Sequence, residues 1–458
     1  MKAVIPAAQD AVQAITSAVS IDGASWGRAD KAKWPHNVTA LLVFVAPTWM
    51  YINWLALEHY DASLLEAGRA LFLQGPVQLM KHHFPQPTFA AFVGYAAWLG
   101  LQTALYGLLP GKHCFGQRTP GGHLLEYTAN GLLAWAVTHG LYLAAAVTGM
   151  LDPAIMAKHW QGLFVAANLY GVVLAVLAQV KGYWCPSYPA DRKMSGSWIF
   201  DFWAGVELNP RLGDYWDFKF FHNGRPGIVA WTLIDLSWTA YQYQNLGHIA
   251  TSMCIVLLFH TIYVVDFFLN EDWYTRTIDI THDHFGFMLA WGDTTFLPAF
   301  YTLQAQYLAR YPAYLSTAQS ATVLVLGIGG YAIFRIANHQ KDYVRSRNGN
   351  AILWDRPATF IRCNYRTSDG KEHSSILLTS GWWAVSRHSN YLGDLILAFA
   401  MCAACGVNHV LPWSYFFYMT VLLCHRVWRD EHRCHIKYGK KWEEYCAKVP
   451  YRIMPGVW

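Results

Sequence analysis

The amino-acid sequence predicts an all-α polytopic membrane protein. Only 14% of its 458 residues are charged, whereas 54% are hydrophobic and 16% are aromatic. Soluble domains carry about 25% charged residues, so this chain has too few charges to cover a surface that faces water on every side. Apolar windows long enough to cross a bilayer, about 17–25 residues each, recur along the chain. Together these observations predict about eight to ten transmembrane helices.

The predicted helices follow the apolar windows in chain order. Their approximate limits are 37–57, 89–109, 125–150, 162–180, 228–243, 248–268, 285–308, 318–337, 391–405 and 411–427. Several windows are short, interrupted by Gly or Pro, or charged, which leaves the count between eight and ten. The first 36 residues are interrupted by Asp10 and lack a continuous apolar stretch. We therefore expect a cytosolic or interfacial segment there and not a cleaved signal peptide.

The charge and the cysteine content exclude several classes of protein. A net charge of +5 is modest and gives no reason to expect nucleic acid as a partner. The nine cysteines follow no regular framework, and the C-x-x-C of Cys402 and Cys405 lies in an apolar stretch. A thiol in such a stretch packs as a small hydrophobic group. We therefore interpret the cysteines as packing residues, and nothing in them indicates an oxidising compartment.

Basic residues are concentrated in two segments, 335–347 and 426–452. The positive-inside rule places both segments on the cytosolic side of the membrane. Topology alone could explain this bias. Two basic segments on one side could also build a pocket for an anionic cofactor.

The densest polar run inside apolar sequence extends from Tyr263 to Asp293. Its ionisable and amide residues are Asp266, Asn270, Glu271, Asp279, His282, Asp283, His284 and Asp293. Ionisable groups near a membrane are costly and usually have a function or a partner. A metal site is disfavoured because consecutive residues of a helix point in different directions and no H-E-x-x-H spacing occurs. Two interpretations of this run remain. It could form the proton or ion path of a transporter, or it could form the polar end of an apolar cavity, where a buried Tyr hydroxyl delivers a proton.

Two further segments carry candidate binding residues. Residues 381–394 read GWWAVSRHSNYLGD, which combines ring faces with Arg, Asn and Tyr donors for phosphate or amide groups. Residues 425–456 continue the last apolar window with a cationic, aromatic-lined surface. Tyr263 and Asp266 are three residues apart, so we expect both on one helical face.

The segments LLTSGWWAVSRHSNYLGD (377–394) and LLCHRVWRDEHRCHIKYGKKWEEYCAKVPYRIMPG (422–456) resemble the membrane sterol reductases. This family includes the sterol C14 reductases and the lamin B receptor. The resemblance extends over most of the chain and includes GVELNPRLGDYWDFKFFHNGRPGIVAWTLI (205–234). Within the family, the Δ7 branch is the closest match, because it is similar in the spacer CNYRTSDGKEHSSILLTSGWW (363–383).

The resemblance implies a cytosol-facing NADPH pocket in the C-terminal half. Lys341 and Arg345 would meet the phosphates, including the 2′-phosphate, and Leu378 and Trp383 would line the adenosine or ribose region. The remaining implied cofactor residues are Asn390, Tyr391, Arg426, Asp430, Cys434, His435, Ile436, Lys437, Tyr438 and Tyr445. We accordingly divide the chain into an N-terminal segment (1–36), a bundle that contributes the sterol site (37–310) and a C-terminal cofactor part (311–458).

The resemblance also implies which residues act in catalysis. Tyr263 matches the family's proton donor, Asp430 would be its polar partner near the nicotinamide, and Asp266 and Glu271 are further members of a proton relay. The implied reaction reduces the C7=C8 bond of a 5,7-diene sterol with NADPH, in the endoplasmic reticulum membrane. Association with other enzymes of sterol biosynthesis is expected from the same resemblance. No metal is implied.

Four other functions remain open at this point. The chain could be a C14 reductase of the same family or a non-enzymatic sterol-binding protein, as part of the lamin B receptor is. The C-terminal pattern is distantly similar to isoprenylcysteine carboxyl methyltransferases, which use S-adenosylmethionine. A transporter would explain the buried charges but neither basic segment.

Overall fold

Helices make up most of the part of the chain that the computed structural model describes, residues 36–366 and 370–458. This confirms the predicted all-α class. Of the expected N-terminal segment (1–36), residues 1–35 lie outside the described residues, and so does its interpretation as uncleaved, while His36 is the first residue of the first helix.

The first half of the described chain alternates long helices with short connecting elements. In order, these are α1 (His36–His59), α2 (Leu64–Gln74), α3 (Pro76–His83), α4 (Phe89–Leu108), β1 (Lys112–Phe115), β2 (Glu126–Ala129), α5 (Gly131–Val147), α6 (Ile155–Lys158), α7 (Trp160–Trp184), a 3-10 turn (Pro189–Asp191), α8 (Trp198–Ala204), β3 (Arg211–Leu212), β4 (Trp216–Asp217), α9 (Phe218–His222), a π-helical segment (Asn223–Ile228) and α10 (Val229–Leu246).

The second half contains the longest helix and the longest hairpin. Its elements are α11 (Thr251–Leu269), α12 (Glu271–Tyr274), α13 (Ile278–Thr281), α14 (Phe287–Trp291), a π-helical segment (Gly292–Phe296), α15 (Leu297–Phe300), α16 (Leu303–Leu308), α17 (Thr317–Ser346), β5 (Ile352–Leu353), β6 (Arg356–Pro357), β7 (Phe360–Arg366), β8 (Glu372–Leu378), α18 (Trp382–Val385), α19 (Ser389–Ala403), a 3-10 turn (Leu411–Trp413), α20 (Ser414–Tyr438) and α21 (Lys440–Lys448).

Within the described part of the chain, five helices are long and apolar enough to cross a membrane, by length and composition. They are α1, α4, α7, α11 and α17, and α5 and α19 are shorter apolar helices. Large apolar side chains such as Phe44 and Val325 remain exposed on them, as expected for surfaces that face lipid. The chain is therefore a polytopic membrane protein, and the count of eight to ten spans stays a prediction.

Two predicted windows differ from the structure in their local form. Window 125–150 begins with a strand, because β2 pairs with β1 and the Asn130 side chain donates to the carbonyls of Tyr106 and Leu109 before α5 starts. Window 285–308 is a series of short helices interrupted by a π segment, which is followed by the short helix α15 with Pro298 at its start. Proline lacks an N–H group, so the regular helical hydrogen bonds cannot continue through it.

Helices α17 and α19 form the most extensive helix pair of the described residues. A capping box of Ser316 and Gln319 starts α17. A Cβ atom added at Gly330 would lie 2.7 Å from the carbonyl oxygen of Gly393, and one added at Gly393 would lie 2.4 Å from the backbone nitrogen of Phe334. Glycine thus allows the two backbones to touch, which is how membrane helices commonly pack.

The small sheets in residues 36–366 and 370–458 are four antiparallel pairs, of which β7 and β8 form the longest. In this hairpin Phe360 pairs with Leu378, and residues 367–369 between the strands lie outside the described part. Ile361, Cys363 and Leu377 of the hairpin pack on Trp442 and Tyr445 of α21. The main apolar core lies elsewhere, among α1, α7, α10, α11, α17, α19 and α20.

Candidate functional site

Tyr263 lies on α11 among aromatic rings. Its ring centroid is 5.5 Å from that of Trp231 on α10 and 6.2 Å from that of Phe334 on α17, with the Phe334 ring nearly parallel. No described residue accepts or donates a hydrogen bond at the Tyr263 hydroxyl. The hydroxyl is therefore held in position by its ring and is free to bond to a ligand.

Asp266, one turn further along α11, faces the same neighbouring helix as Tyr263. Its carboxylate accepts hydrogen bonds from Arg335 at 3.0 Å and from the Tyr331 hydroxyl at 2.9 Å, both on α17. This confirms the expectation that Tyr263 and Asp266 share one face. The Arg335 guanidinium also lies 4.2 Å from the centroid of the Trp273 ring.

Glu271 lies in a separate, fully enclosed network. Its carboxylate pairs with the guanidinium of Arg225 at 2.5 Å and accepts a hydrogen bond from the backbone N–H of Gly131 at 2.7 Å. Arg225 has 0% exposure and also donates to the Asn130 side chain at 2.7 Å. Glu271 thus joins α12 to the start of α5.

The C-terminal end of α17 carries Lys341 and Arg345 one turn apart. The Lys341 ammonium lies 4.2 Å from the centroid of the Trp383 ring, and the indole N–H of Trp383 donates to the carbonyl of Ala337 at 2.7 Å. The guanidinium of Arg345 donates to the carbonyl of Ile376 on β8. Leu378 is buried at the end of the same strand, in one apolar cluster with Trp383. Cations and rings are thus brought together here.

The start of α19 adds polar side chains next to this region. The Asn390 side chain donates to the side-chain oxygen of Asn338 at 3.2 Å, and its own oxygen is buried without a partner among the described residues. The Tyr391 ring stacks on His388 at 5.2 Å. Arg387, which the sequence offered as a phosphate donor, instead pairs with Glu431 and donates to the Val449 carbonyl. Arg387 therefore anchors the C-terminal tail.

Helix α20 presents a charged face to the segment around α13. Arg426 pairs with both carboxylate oxygens of Asp279 at 2.7 and 2.9 Å, and Arg429 pairs with both of Asp283 at 2.5 and 2.7 Å. Burial raises the pKa of the Asp283 carboxyl, but Arg429 and His282 outweigh it and hold the pKa below its usual range. Charge-assisted bidentate pairs of this kind fix both position and orientation.

Asp430 lies between a cation and a histidine. It accepts a hydrogen bond from Arg433 at 2.6 Å, and its other oxygen is 3.4 Å from the Nε2 atom of His388. Burial alone would raise the pKa of Asp430, but Arg433 and His388 hold it well below the usual range. Asp430 is therefore ionised, and Lys341 acts on it electrostatically across the gap between α17 and α20.

The remaining predicted cofactor residues divide into two groups. Cys434 is buried with its thiol 3.9 Å from Asp430, the Lys437 ammonium lies 3.8 Å from the ring centroid of Tyr365, and Tyr438 and Tyr445 pack in the cluster under the hairpin. The side chains of His435 and Ile436 are exposed on the other face of α20. The structure thus brings the first group together and leaves the last two residues outside it.

Sequence reasoning noted several charged members of this cluster within its polar segments but assigned them no role in the site. They are Asp279, Asp283, His388, Asp394, Arg429 and Arg433. Helical spacing could have found the arginines, because Arg429 and Arg433 follow Arg426 by three and seven residues and so lie on one face. Among the described residues, no group of three or more His, Cys, Asp or Glu side chains could hold a metal ion.

The arrangement also offers polar atoms that no described residue uses. Besides the Asn390 oxygen, they include the Nδ1 atom of His388 and the Nε atoms of Arg426 and Arg433. Buried polar atoms are normally paired, so unpaired ones grouped together suit a polar ligand. The cations Lys341, Arg345 and Lys437 add positive charge for an anion.

Comparison with known proteins agrees with this architecture. Residues 36–458 match the model of the ergosterol biosynthesis ERG4/ERG24 family. The chain is 44% identical to a 7-dehydrocholesterol reductase of Danio rerio over 97% of this chain and 96% of that protein, and 45% identical to that of Xenopus laevis over 94% of each. It is 35% identical to a Delta(14)-sterol reductase of Methylotuvimicrobium alcaliphilum over 91% of this chain and 94% of that protein. The chain therefore belongs to the ergosterol biosynthesis ERG4/ERG24 family of membrane sterol reductases.

Proposed function

We propose that the protein is an NADPH-dependent sterol Δ7 reductase that reduces the C7=C8 bond of 5,7-diene sterols. The observation that carries this proposal is the cluster at the C-terminal end of α17, where the Lys341 ammonium lies over the Trp383 ring and Arg345 follows one turn later. The 44% and 45% identity to 7-dehydrocholesterol reductases supports the Δ7 assignment.

The residues present fit NADPH. Lys341 and Arg345 supply positive charge for phosphates, and the Trp383 face suits a flat ring. The unpaired atoms of Asn390 and His388 can bond to the polar middle of the cofactor. When bound, NADPH supplies a hydride. Cys434, Lys437, Tyr438 and Tyr445 complete the proposed pocket, and the exposed side chains of His435 and Ile436 contribute to it only through their backbone.

Tyr263 is the proposed acid. An isolated sterol alkene accepts hydride poorly, because no carbonyl takes up the negative charge. A proton delivered by the Tyr263 hydroxyl to C8 of a conjugated 5,7-diene leaves an allylic cation over C5 to C7, which accepts hydride at C7. Trp231 and Phe334 hold the Tyr263 ring, and the apolar helices exclude water.

The other proposed acids have partners that favour supporting roles. Asp266 is bonded to Arg335 and Glu271 to Arg225, so each carboxylate is neutralised by a cation. Asp430, ionised between Arg433 and His388, is suited to orienting His388 near the nicotinamide end. We therefore place the acid on Tyr263 and assign Asp266, Glu271 and Asp430 to positioning.

The positive-inside rule supports a cytosolic cofactor site, and the sterol reaction supports the endoplasmic reticulum as its membrane. In this proposal the sterol site belongs to residues 37–310 and the cofactor site to residues 311–458. The substrate is drawn from the bilayer, and association with other sterol enzymes fits a product that stays in the same membrane.

A C14 reductase is the second candidate, favoured by the 35% identity to a Delta(14)-sterol reductase. The test is to incubate the purified protein in detergent with NADPH and either a 5,7-diene sterol or a Δ14 sterol, and to identify products by mass spectrometry. We expect loss of the C7=C8 bond from the diene. Reduction of the Δ14 sterol alone would favour the second candidate, and stabilisation by S-adenosylmethionine instead of NADPH would contradict both.

A further inference from the structure

Asp394 is a buried carboxyl without a partner. It lies on α19 with 6% exposure, and no described residue forms a hydrogen bond or ion pair with its carboxyl. Five other carboxylates, buried or half-buried, differ in this respect. Asp266, Glu271, Asp279, Asp283 and Asp430 each pair with an arginine.

Asp394 lies one helical turn deeper than the proposed cofactor residues of α19. It follows Asn390 by four residues and Tyr391 by three, so all three share one face of the helix. The preceding residue, Gly393, touches the backbone of Phe334, and the ring of Phe334 stacks on Tyr263. This contact brings the Asp394 turn of α19 towards Tyr263.

The Asp394 carboxyl lies near enough to the Tyr263 hydroxyl for its charge to act on that phenol, as does the charge of Arg426. Arg426 is the cation that acts on Asp394, but its guanidinium bonds are directed to Asp279. The charge of Asp394 also acts on the phenols of Tyr301 and Tyr415. Asp394 thus has phenols and one already paired guanidinium around it.

We propose that Asp394 is a positioning residue that holds a proton next to Tyr263 and restores the Tyr263 hydroxyl after each turnover. This inference rests on the proposed function. A carboxylate buried without a bonded cation costs much free energy, so the neutral acid is the favoured form. A neutral acid has a proton to donate, whereas an arginine bonded to a carboxylate favours the ionised form.

The proton balance is complete. The O–H bond of Tyr263 breaks as a C–H bond forms on the sterol, and the proton of the Asp394 carboxyl then reaches the tyrosinate oxygen through one bridging water. The Asp394 carboxylate then takes a proton from water. Hydride from the reduced nicotinamide adds to the other carbon, so one alkene consumes one hydride and one solvent proton.

The test compares Asp394→Asn with Asp394→Glu in rapid-quench and steady-state assays of the full-length protein, with a 5,7-diene sterol and NADPH. Asp394→Asn keeps the proton on Tyr263 for the first turnover but cannot restore it. We expect a burst of one product per enzyme at the wild-type rate, followed by turnover about 100-fold slower. Asp394→Glu keeps an acid, so its steady-state turnover should be about tenfold or more faster than that of Asp394→Asn. The surface variant Asp152→Asn serves as the matched control and should behave as wild type.

Each outcome separates the two proposals. Wild-type protein that reduces no sterol overturns the proposed function and this inference with it. If wild type is active and Asp394→Asn keeps its steady-state rate, only the inference is overturned. Equal losses of burst and steady-state rate, with Asp394→Glu no better than Asp394→Asn, would also overturn it, because a merely structural role predicts that pattern.

Discussion

The ammonium nitrogen of Lys341 lies 4.2 Å from the centroid of the Trp383 ring. A cation over the face of an indole is attracted by the ring's electrons. The same indole donates its N–H to Ala337, one turn before Lys341 on the same helix. Cation and ring are therefore fixed relative to each other.

Arg345→Gln is expected to weaken the preference for NADPH over NADH about tenfold, because a charge-assisted bond to the 2′-phosphate is worth about 1.5 kcal/mol or more. Binding of both nucleotides is measured by isothermal titration calorimetry in detergent. The control is Arg347→Gln, since Arg347 lies over the Tyr343 ring at the same helix end. An unchanged NADPH preference in Arg345→Gln would remove the phosphate role of Arg345.

Tyr263→Phe is expected to lower turnover about 100-fold or more, because it removes the proposed acid but keeps the ring between Trp231 and Phe334. NADPH affinity should remain within about twofold of wild type, which separates chemistry from folding. Tyr331→Phe is the matched control, because it removes a neighbouring hydroxyl that bonds to Asp266. Wild-type turnover in Tyr263→Phe would contradict our assignment of the acid.

NADPH affinity is expected to fall as the pH rises. Burial, followed by the Arg433 charge, lowers the pKa of Lys437 to about 8 in the free protein. A bound anion favours the protonated ammonium, so affinity is fully present below pH 8 and is lost above it. The dissociation constant should rise about tenfold between about pH 7 and pH 9. Lys437→Arg keeps its charge over this range, so its dissociation constant should rise less steeply with pH than that of the wild type, and equal slopes in the two proteins would exclude Lys437.

Glu271→Gln is expected to reduce the yield and thermal stability of the protein more than its chemistry. The substitution leaves the guanidinium of Arg225, which is 0% exposed, without its counter-charge. Breaking a buried pair in this way costs about 3–5 kcal/mol. Turnover per folded molecule should stay within about threefold of wild type. A stable variant without turnover would instead place Glu271 in the proton relay.

Gly330→Ala and Gly329→Ala test the contact between α17 and α19. A Cβ at Gly330 would lie 2.7 Å from the Gly393 oxygen, whereas one at Gly329 would meet nothing within 4 Å. We expect Gly330→Ala to lose about 1–3 kcal/mol of stability and Gly329→Ala to be neutral. The melting temperature in detergent measures both. Equal melting temperatures of the two variants would mean that α17 and α19 can move apart at Gly330 without a loss of stability.

The apolar windows predicted most of the long helices because hydrophobic length is a local property of sequence. The strand at 126–129 was missed, since its pairing with residues 112–115 depends on a distant partner. Of the site, helical spacing placed Tyr263 and Asp266 on one face. It could not predict that Arg426 and Arg429 would meet Asp279 and Asp283, because those pairs form between helices far apart in the chain.

The pairs of Arg426 with Asp279 and of Arg429 with Asp283 also bear on biosynthesis. Their members are separated by 147 and 146 positions. A ribosome therefore adds Asp279 and Asp283, and the membrane helices between them and α20, before it adds Arg426 or Arg429. A protein truncated upstream of Arg426 would lack its C-terminal tail. It would also leave the carboxylates of Asp279 and Asp283 without their arginine partners.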